Sequence, residues 1–261
     1  MTPILILGAG RMGGAILSGW RLSGAFDVAE VMIRDPAPGP EAEASGAAIN
    51  PPDSRLVEAR TVLMAVKPQT WREAVGPVVA HLPPDAVIVS VAAGIGCADI
   101  AQAFGGRRVA RVMPTTAAAI GLGTASVYAA DAEARARAHA LFAPVGTVVD
   151  LAEEDLLHAA TGVSGSAPDY LYAFVEALET AGAAAGLPLA DAQRLARATM
   201  AGAAALMAQS GEEPAALRRQ VTSPNGTTEA ALKVLLGEGG LPDLLERAVA
   251  AATNRSRELG K

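Results

Sequence analysis

Cysteine is almost missing from this chain. Cys97 is the only one in 261 residues, so no internal disulfide can form and a reducing, cytoplasmic setting is expected. Cys97 is expected to pack a helix start rather than to attack a substrate. There is no excess of basic residues: the formal net charge is −6 and no basic stripe is visible, which argues against a nucleic-acid partner. No apolar run is long enough to span a bilayer, so no membrane partner is expected. The chain opens on a strand pattern rather than a charged-then-apolar leader, so no signal peptide is expected. The three histidines, His81, His139 and His158, lack companions at metal-ligand spacing, and neither a Ser–His–Asp set nor a metal constellation can be assembled. Internal repeats and low-complexity linkers are also missing.

Hydrophobic residues make up 51% and charged residues 18%, the balance of a well-buried globular protein. The length suits one large domain or two moderate ones. Near the start, the apolar run Ile4–Leu7 reads as a strand buried on both faces of a parallel sheet. It leads into Gly8, Ala9, Gly10, Arg11, Met12 and Gly13, a G-x-G-x-x-G loop that opens a helical pattern. In such a loop the first glycine makes the turn, the second lets a pyrophosphate approach the backbone, and the third lets helix and strand pack closely. A strand before the loop and a helix after it make this a specific sign of dinucleotide binding.

Further apolar runs follow at Val28–Ile33, Thr61–Val66, Ala86–Val91, Val109–Val112, Ala125–Tyr128 and Thr147–Val149, with helical stretches such as Gln69–His81 and Glu133–Phe142 between them. This alternation predicts a Rossmann domain, an α/β doubly wound and mostly parallel sheet, over residues 1–152. Ligands bind outside the carboxyl ends of such strands. Small residues and prolines gather at three of those ends: Ala65, Val66, Lys67 and Pro68; Ala92, Ala93 and Gly94; and Met113 to Thr116. They suggest walls cleared for a flat cofactor.

The second strand runs into Arg34 and Asp35, the latter 22 residues past Gly13 (35 − 13). An acid there usually accepts the adenosine ribose and favours NADH, whereas an arginine pairs with the 2′-phosphate of NADPH. Side chains alternate along a strand, so the two should not both face the cofactor. With Arg11 nearby, two cations flank one acid and favour NADPH.

From residue 153 to 261 strand patterns vanish and an all-helical domain is expected. Its helices read as Asp155–Thr161, Tyr170–Gly186, Asp191–Ser210, Glu213–Arg219, Thr228–Leu236 and Leu241–Leu259. The two longest are crowded with alanine and glycine. Such small faces bury little apolar area, so the domain is expected to complete its core against a second copy. Within it lies a hydroxyl-rich turn: Thr222, Ser223, Pro224, Asn225, Gly226, Thr227 and Thr228. Pro224 breaks the chain, Asn–Gly supplies positive φ, and Thr227 or Thr228 can cap the helix that follows. Free amides and hydroxyls at a helix start can seat a small carboxylate. An ordinary helix–turn–helix corner is the alternative.

Taken together, GAGRMGGAILSGW at Gly8–Trp20, AVKPQ at Ala65–Gln69, SVAAGI at Ser90–Ile95, ARVMPTT at Ala110–Thr116, SGSAPDY at Ser164–Tyr170 and QVTSPNGTTEAAL at Gln220–Leu232 resemble the pyrroline-5-carboxylate reductases. The resemblance covers essentially the whole chain. It implies NADPH- or NADH-dependent reduction of a cyclic imine to proline, and a helical dimerisation domain that interlocks into a homodimer or a ring of dimers. An active site between the two domains is also implied. It implies that the backbone of Val66–Pro68 frames the nicotinamide ribose, that Thr228 hydrogen-bonds the ring nitrogen, and that Glu154 lies near bound product. Three departures bear on the substrate. Thr115 stands where the family usually has Asn, Ala167 and Asp169 interrupt its Ser-Gly-Ser-Gly-Pro-Ala, and Asn225 replaces a glycine. A related cyclic imino acid is therefore an alternative substrate. A β-hydroxyacid-dehydrogenase-like enzyme is another reading, but it needs a lysine on the long helices, which have none. A non-enzymatic cofactor sensor has no use for the Ser223–Thr228 turn.

Overall fold

The apolar runs become strands because each can be buried on both sides. In the computed structural model, which describes residues 1–259, eight strands form one sheet: β1 (Ile4–Leu7), β2 (Val31–Arg34), β3 (Ala48–Ile49), β4 (Thr61–Met64), β5 (Val87–Ser90), β6 (Val109–Pro114), β7 (Gly123–Tyr128) and β8 (Gly146–Asp150). Their order is β3-β2-β1-β4-β5-β6-β7-β8, parallel except for the β6–β7 pair. Side chains alternate as a pleat requires. Ile4, Ile6, Ile33 and Leu63 enter the core on one face, and Leu5, Leu7, Met32 and Met64 enter the core on the other.

Helices α1 (Arg11–Ser23), α2 (Pro40–Glu43), α3 (Trp71–Val79), α4 (Cys97–Ala103) and α5 (Ala132–Phe142) belong to the same unit. Helix α1 is docked by Trp20, which is 1% exposed, donates its indole N–H to the Leu141 carbonyl at 2.7 Å and meets Phe26 edge-on. Two features differ from the expected pattern. Val28–Glu30 is a 3-10 turn rather than strand, because the Asp27 carboxylate accepts the Ala29 amide and curls the chain. The two-residue edge strand β3 is too short to carry a period.

Beyond β8 come α6 (Leu156–Ala160), which continues as a π-helical turn over Thr161–Gly165, then α7 (Ala167–Ala184), α8 (Leu189–Ser210), α9 (Pro214–Gln220), α10 (Thr227–Leu235) and α11 (Leu241–Glu258). By contacts, one compact unit holds residues 1–165 and the chain from Ala250 on, and the other holds Ser166–Val249. Helix α6 packs on β6 and β7, while an Arg257–Asp155 ion pair at 2.8 Å and a His158–Ser256 hydrogen bond at 2.9 Å fasten the end of α11 to it.

The helical unit has little interior of its own. Between residues 166 and 249 only Ala192 and Ala196 are buried among the apolar side chains, whereas Tyr172, Leu195, Leu206 and Val234 are more than half exposed. Helices α7 and α8 approach closely at Gly182, where a Cβ would lie 3.1 Å from that of Ala192, and are joined by Arg197 and the buried Glu179 at 2.7 Å. Among the described residues, no helix is long and apolar enough to cross a membrane.

Trp20→Phe keeps most of the ring but strands the buried Leu141 carbonyl. Its chemical-denaturation midpoint should fall by an amount equivalent to about 1–3 kcal/mol at unchanged slope, with Trp71 left as the fluorophore. Coincident curves for wild type and variant would show that this hydrogen bond contributes nothing.

Candidate active site

The glycine loop closes tightly against the sheet. Gly8 has φ 91° and sits where a Cβ would lie 2.9 Å from the Ala65 backbone. At Gly13 a Cβ would meet the Gly8 carbonyl oxygen at 2.2 Å, so only glycine lets α1 start this close to the strand. Gly10 is different: nothing lies within 4 Å of where its Cβ would stand. It is the N-cap of α1, and no side chain caps that helix. The result is open space in front of free helix amides, which fits a pyrophosphate.

A cleft of about 800 Å³ opens at the carboxyl ends of β1, β2 and β4, where the strand order reverses. Gly8, Gly10, Arg34, Asp35, Val66 and Lys67 line it, and so does Ala65. Other expected residues do not. Ala9 is buried, Met12 packs partly against the core, Gly13 is buried under the loop, Arg11 is exposed, and Pro68 and Ala92–Gly94 lie outside the lining. The side chains of Ala9 and Met12 are turned to the interior, and Gly13 lies beneath the loop.

Arg34 and Asp35 both line the cleft. Strict alternation fails because β2 ends at Arg34 and Asp35 already belongs to the loop. The Asp35 carboxylate accepts the Ala9 amide on one oxygen and the Ala37 amide on the other, each at 2.7 Å, so it braces the glycine loop. Arg34 is paired with Asp53. The sequence count of two cations against one acid does not survive folding, because Asp53 neutralises one of the cations. Asn50 also escaped the sequence reading: its side chain pairs with both backbone groups of Asp35, at 2.8 and 3.1 Å, from a left-handed conformation (φ 47°). Its place before two prolines, Pro51 and Pro52, was the only local sign.

A second polar cluster lies at β6. Arg111, 6% exposed at its side chain, donates to Glu154 Oε1 at 2.8 Å, and the same oxygen accepts the first amide of α4, from Cys97, at 2.7 Å. Glu154 Oε1 is thereby engaged within the fold. Burial pushes the Glu154 carboxyl up, but the Arg111 and Cys97 hydrogen bonds and the Arg111 charge outweigh it and hold it below the ordinary value. Burial, reinforced by Glu154, pushes the Cys97 thiol up to about 12, so it is no nucleophile at neutral pH. Burial and the charge of Arg111 lower His158. Arg111 was missed, although a lone arginine within an apolar strand run demands a counter-ion.

In the helical unit, the Ser223–Thr228 turn is exposed apart from half-buried Gly226. Asn225 has φ 58°, so it supplies the left-handed step a glycine would. Gly226, not a threonine, is the N-cap of α10: its φ is −84°, and a Cβ there would strike Ser223 Oγ at 2.4 Å. Thr227 and Thr228 therefore occupy the first turn with uncapped amides, while Glu229 reaches back to the Asn225 amide at 2.6 Å. Thr115 Oγ1 accepts the Thr124 amide at 3.0 Å inside the β6–β7 hairpin, and exposed Asp169 stands in the first turn of α7, where an acid suits the helix dipole.

Glu154→Gln should lower stability at neutral pH by about 2–3 kcal/mol by leaving Arg111 without its counter-ion. Because the Glu154 pKa is depressed in the fold, its contribution is complete above the ordinary carboxylate pKa of 4.5 and fades as pH falls through the folded value. The variant should therefore show a flatter loss of stability on acidification. Parallel pH profiles of melting temperature for the two proteins would contradict this.

Two family models match the chain: pyrroline-5-carboxylate reductase dimerisation over residues 154–259, and NADP oxidoreductase, coenzyme F420-dependent, over residues 3–94. The chain is 38% identical over 270 residues to pyrroline-5-carboxylate reductase of Pseudomonas aeruginosa, covering 100% of this chain and 98% of that one. It is 37% identical to that of Corynebacterium melassecola, with 100% of both covered. The solved pyrroline-5-carboxylate reductase of Coxiella burnetii superposes with a TM-score of 0.90 at 28% identity, over 100% of this chain and 99% of that one. A Plasmodium falciparum pyrroline carboxylate reductase with NADP bound shares the fold, with a TM-score of 0.85 at 21% identity and 100% and 98% covered. A cleft shaped for a dinucleotide, a hydroxyl-rich turn and relatives matched from end to end lead to one conclusion: the chain belongs to the pyrroline-5-carboxylate reductase family.

Proposed function

We infer that this chain reduces 1-pyrroline-5-carboxylate to L-proline with NADPH or NADH, the last step of proline biosynthesis. The observation that carries the reading is identity of 38% to a pyrroline-5-carboxylate reductase over 100% of the chain. A reduced nicotinamide seated in the cleft would supply the hydride, and a protonated imine is already electrophilic, so the protein's part is position and electrostatics. Gly10 and the start of α1 hold the pyrophosphate, and the chain at Ala65–Pro68 and Ala92–Gly94 frames the rest of the cofactor. Ser223, Asn225, Gly226 and Thr227 hold the substrate carboxylate at the uncapped amides of α10. Thr228 is assigned the hydrogen bond with the ring nitrogen as it becomes an amine.

Lys67 is exposed at the cleft wall, and nothing in its surroundings marks it as a proton donor. The β-hydroxyacid-dehydrogenase reading lacks support, because α7 and α8 carry no lysine. The chain works as a homodimer, for which the exposed apolar side chains of α7, α8 and α10 supply the surface. A ring of such dimers is proposed on resemblance alone, and a cytoplasmic location on the single thiol.

Purified protein should oxidise NADPH or NADH when given 1-pyrroline-5-carboxylate, and proline should accumulate in step. A folded sample that binds dinucleotide yet turns over neither pair would overturn the reading. Thr228→Ala should cut kcat by a factor equivalent to about 2–3 kcal/mol, with little change in dinucleotide affinity. Since Gly226 is the cap, loss of helix capping cannot account for such a fall. Near-normal turnover would leave Thr228 without a role in the reaction.

A further inference from the structure

We propose that Asp53 sets how well the cleft distinguishes the 2′-phosphate of NADPH from the bare ribose of NADH, by holding the guanidinium of Arg34. This rests on the reading of the cleft as the dinucleotide seat. Arg34 lines the cleft at the end of β2, where the adenosine ribose falls in this architecture. Among the described residues its side chain has one hydrogen-bond partner, Asp53, through Nη2, and its buried Nε has none. Asp53 does not line the cleft itself. It begins the 3-10 turn Asp53–Glu58 that follows Asn50-Pro51-Pro52, and its second oxygen lies 3.6 Å from His81 Nε2.

The local charge is what matters to a phosphate. Asp35 stands in the same lining with both oxygens engaged by backbone amides, so it cannot swing away. A 2′-phosphate entering this corner meets one guanidinium and two carboxylates. Arg34 alone would offer a phosphate a planar, two-pronged donor, but in this structure one prong is already given to Asp53. A guanidinium prong released from Asp53 can donate a charge-assisted hydrogen bond to the phosphate, which strengthens its binding roughly tenfold. Asp53 therefore restrains NADPH binding and leaves NADH almost untouched.

The test is Asp53→Asn in the whole protein, with 2′,5′-ADP and 5′-AMP titrated by calorimetry and kcat/KM measured with both reduced dinucleotides. The affinity ratio of 2′,5′-ADP to 5′-AMP should rise about tenfold as the freed guanidinium engages the phosphate, and the NADPH-to-NADH efficiency ratio should rise with it. In an Arg34→Ala background the rise from Asp53→Asn should be at least about threefold smaller, because the released guanidinium reads the phosphate. Ratios that stay put in Asp53→Asn would overturn the proposal while leaving the cleft reading intact. An equal rise in both backgrounds would also overturn it, since Asp53 would then act as a bare repulsive charge. If wild-type protein bound neither nucleotide, the cleft reading would fall and this proposal with it.

Discussion

Everything at the cofactor end depends on how closely α1 follows β1. The Gly13 position lies so near the Gly8 carbonyl that a side chain there would displace the helix. With the helix in place, its first amides face open space at Gly10, and the loop between is fixed from outside by the Asp35 carboxylate on the Ala9 amide. An acid at the end of the second strand is usually assigned to the ribose. In this chain its hydrogen bonds run to backbone on both oxygens, which makes the loop rigid before any ligand arrives. A preorganised seat loses less entropy on binding, and that is the physical use of the brace.

The helical unit follows a different economy. Alanine and glycine let α7 and α8 approach closely, yet that proximity leaves leucines, tyrosine and phenylalanine facing outward. Among the few strong ties within it is the Glu179–Arg197 pair, with the carboxylate buried and the guanidinium largely exposed. A fold of this kind reaches its full apolar burial only when a second copy covers the exposed faces. The turn that starts α10 is carried on this same unit.

Much of the fold was legible because its signals are local. The glycine loop, the apolar runs and the breaks at Gly186 and at Gly237–Gly240 each reside within a few residues, and the observed elements fall close to them. The left-handed turn at Asn225 was legible for the same reason, since it follows from the side chain beside the backbone it bends. The threonine cap was not. Which residue of Gly226-Thr227-Thr228 turns helical first depends on the fit against Ser223, a contact that composition does not reveal.

By itself the sequence determined the dinucleotide loop, the alternation that builds a parallel sheet, the helical second half and the hydroxyl-rich turn. These rest on backbone geometry and on the periods of helix and strand, which short stretches encode. Only the tertiary structure decided who pairs with whom. Arg34 and Asp53 are 19 positions apart, Asp35 and Ala9 are 26, and Arg111 and Glu154 are 43. Each charge in those pairs had several candidate partners along the chain. The strand order selects among them by bringing particular loop ends together, and a carboxylate then takes the nearest donor that burial has left unsatisfied.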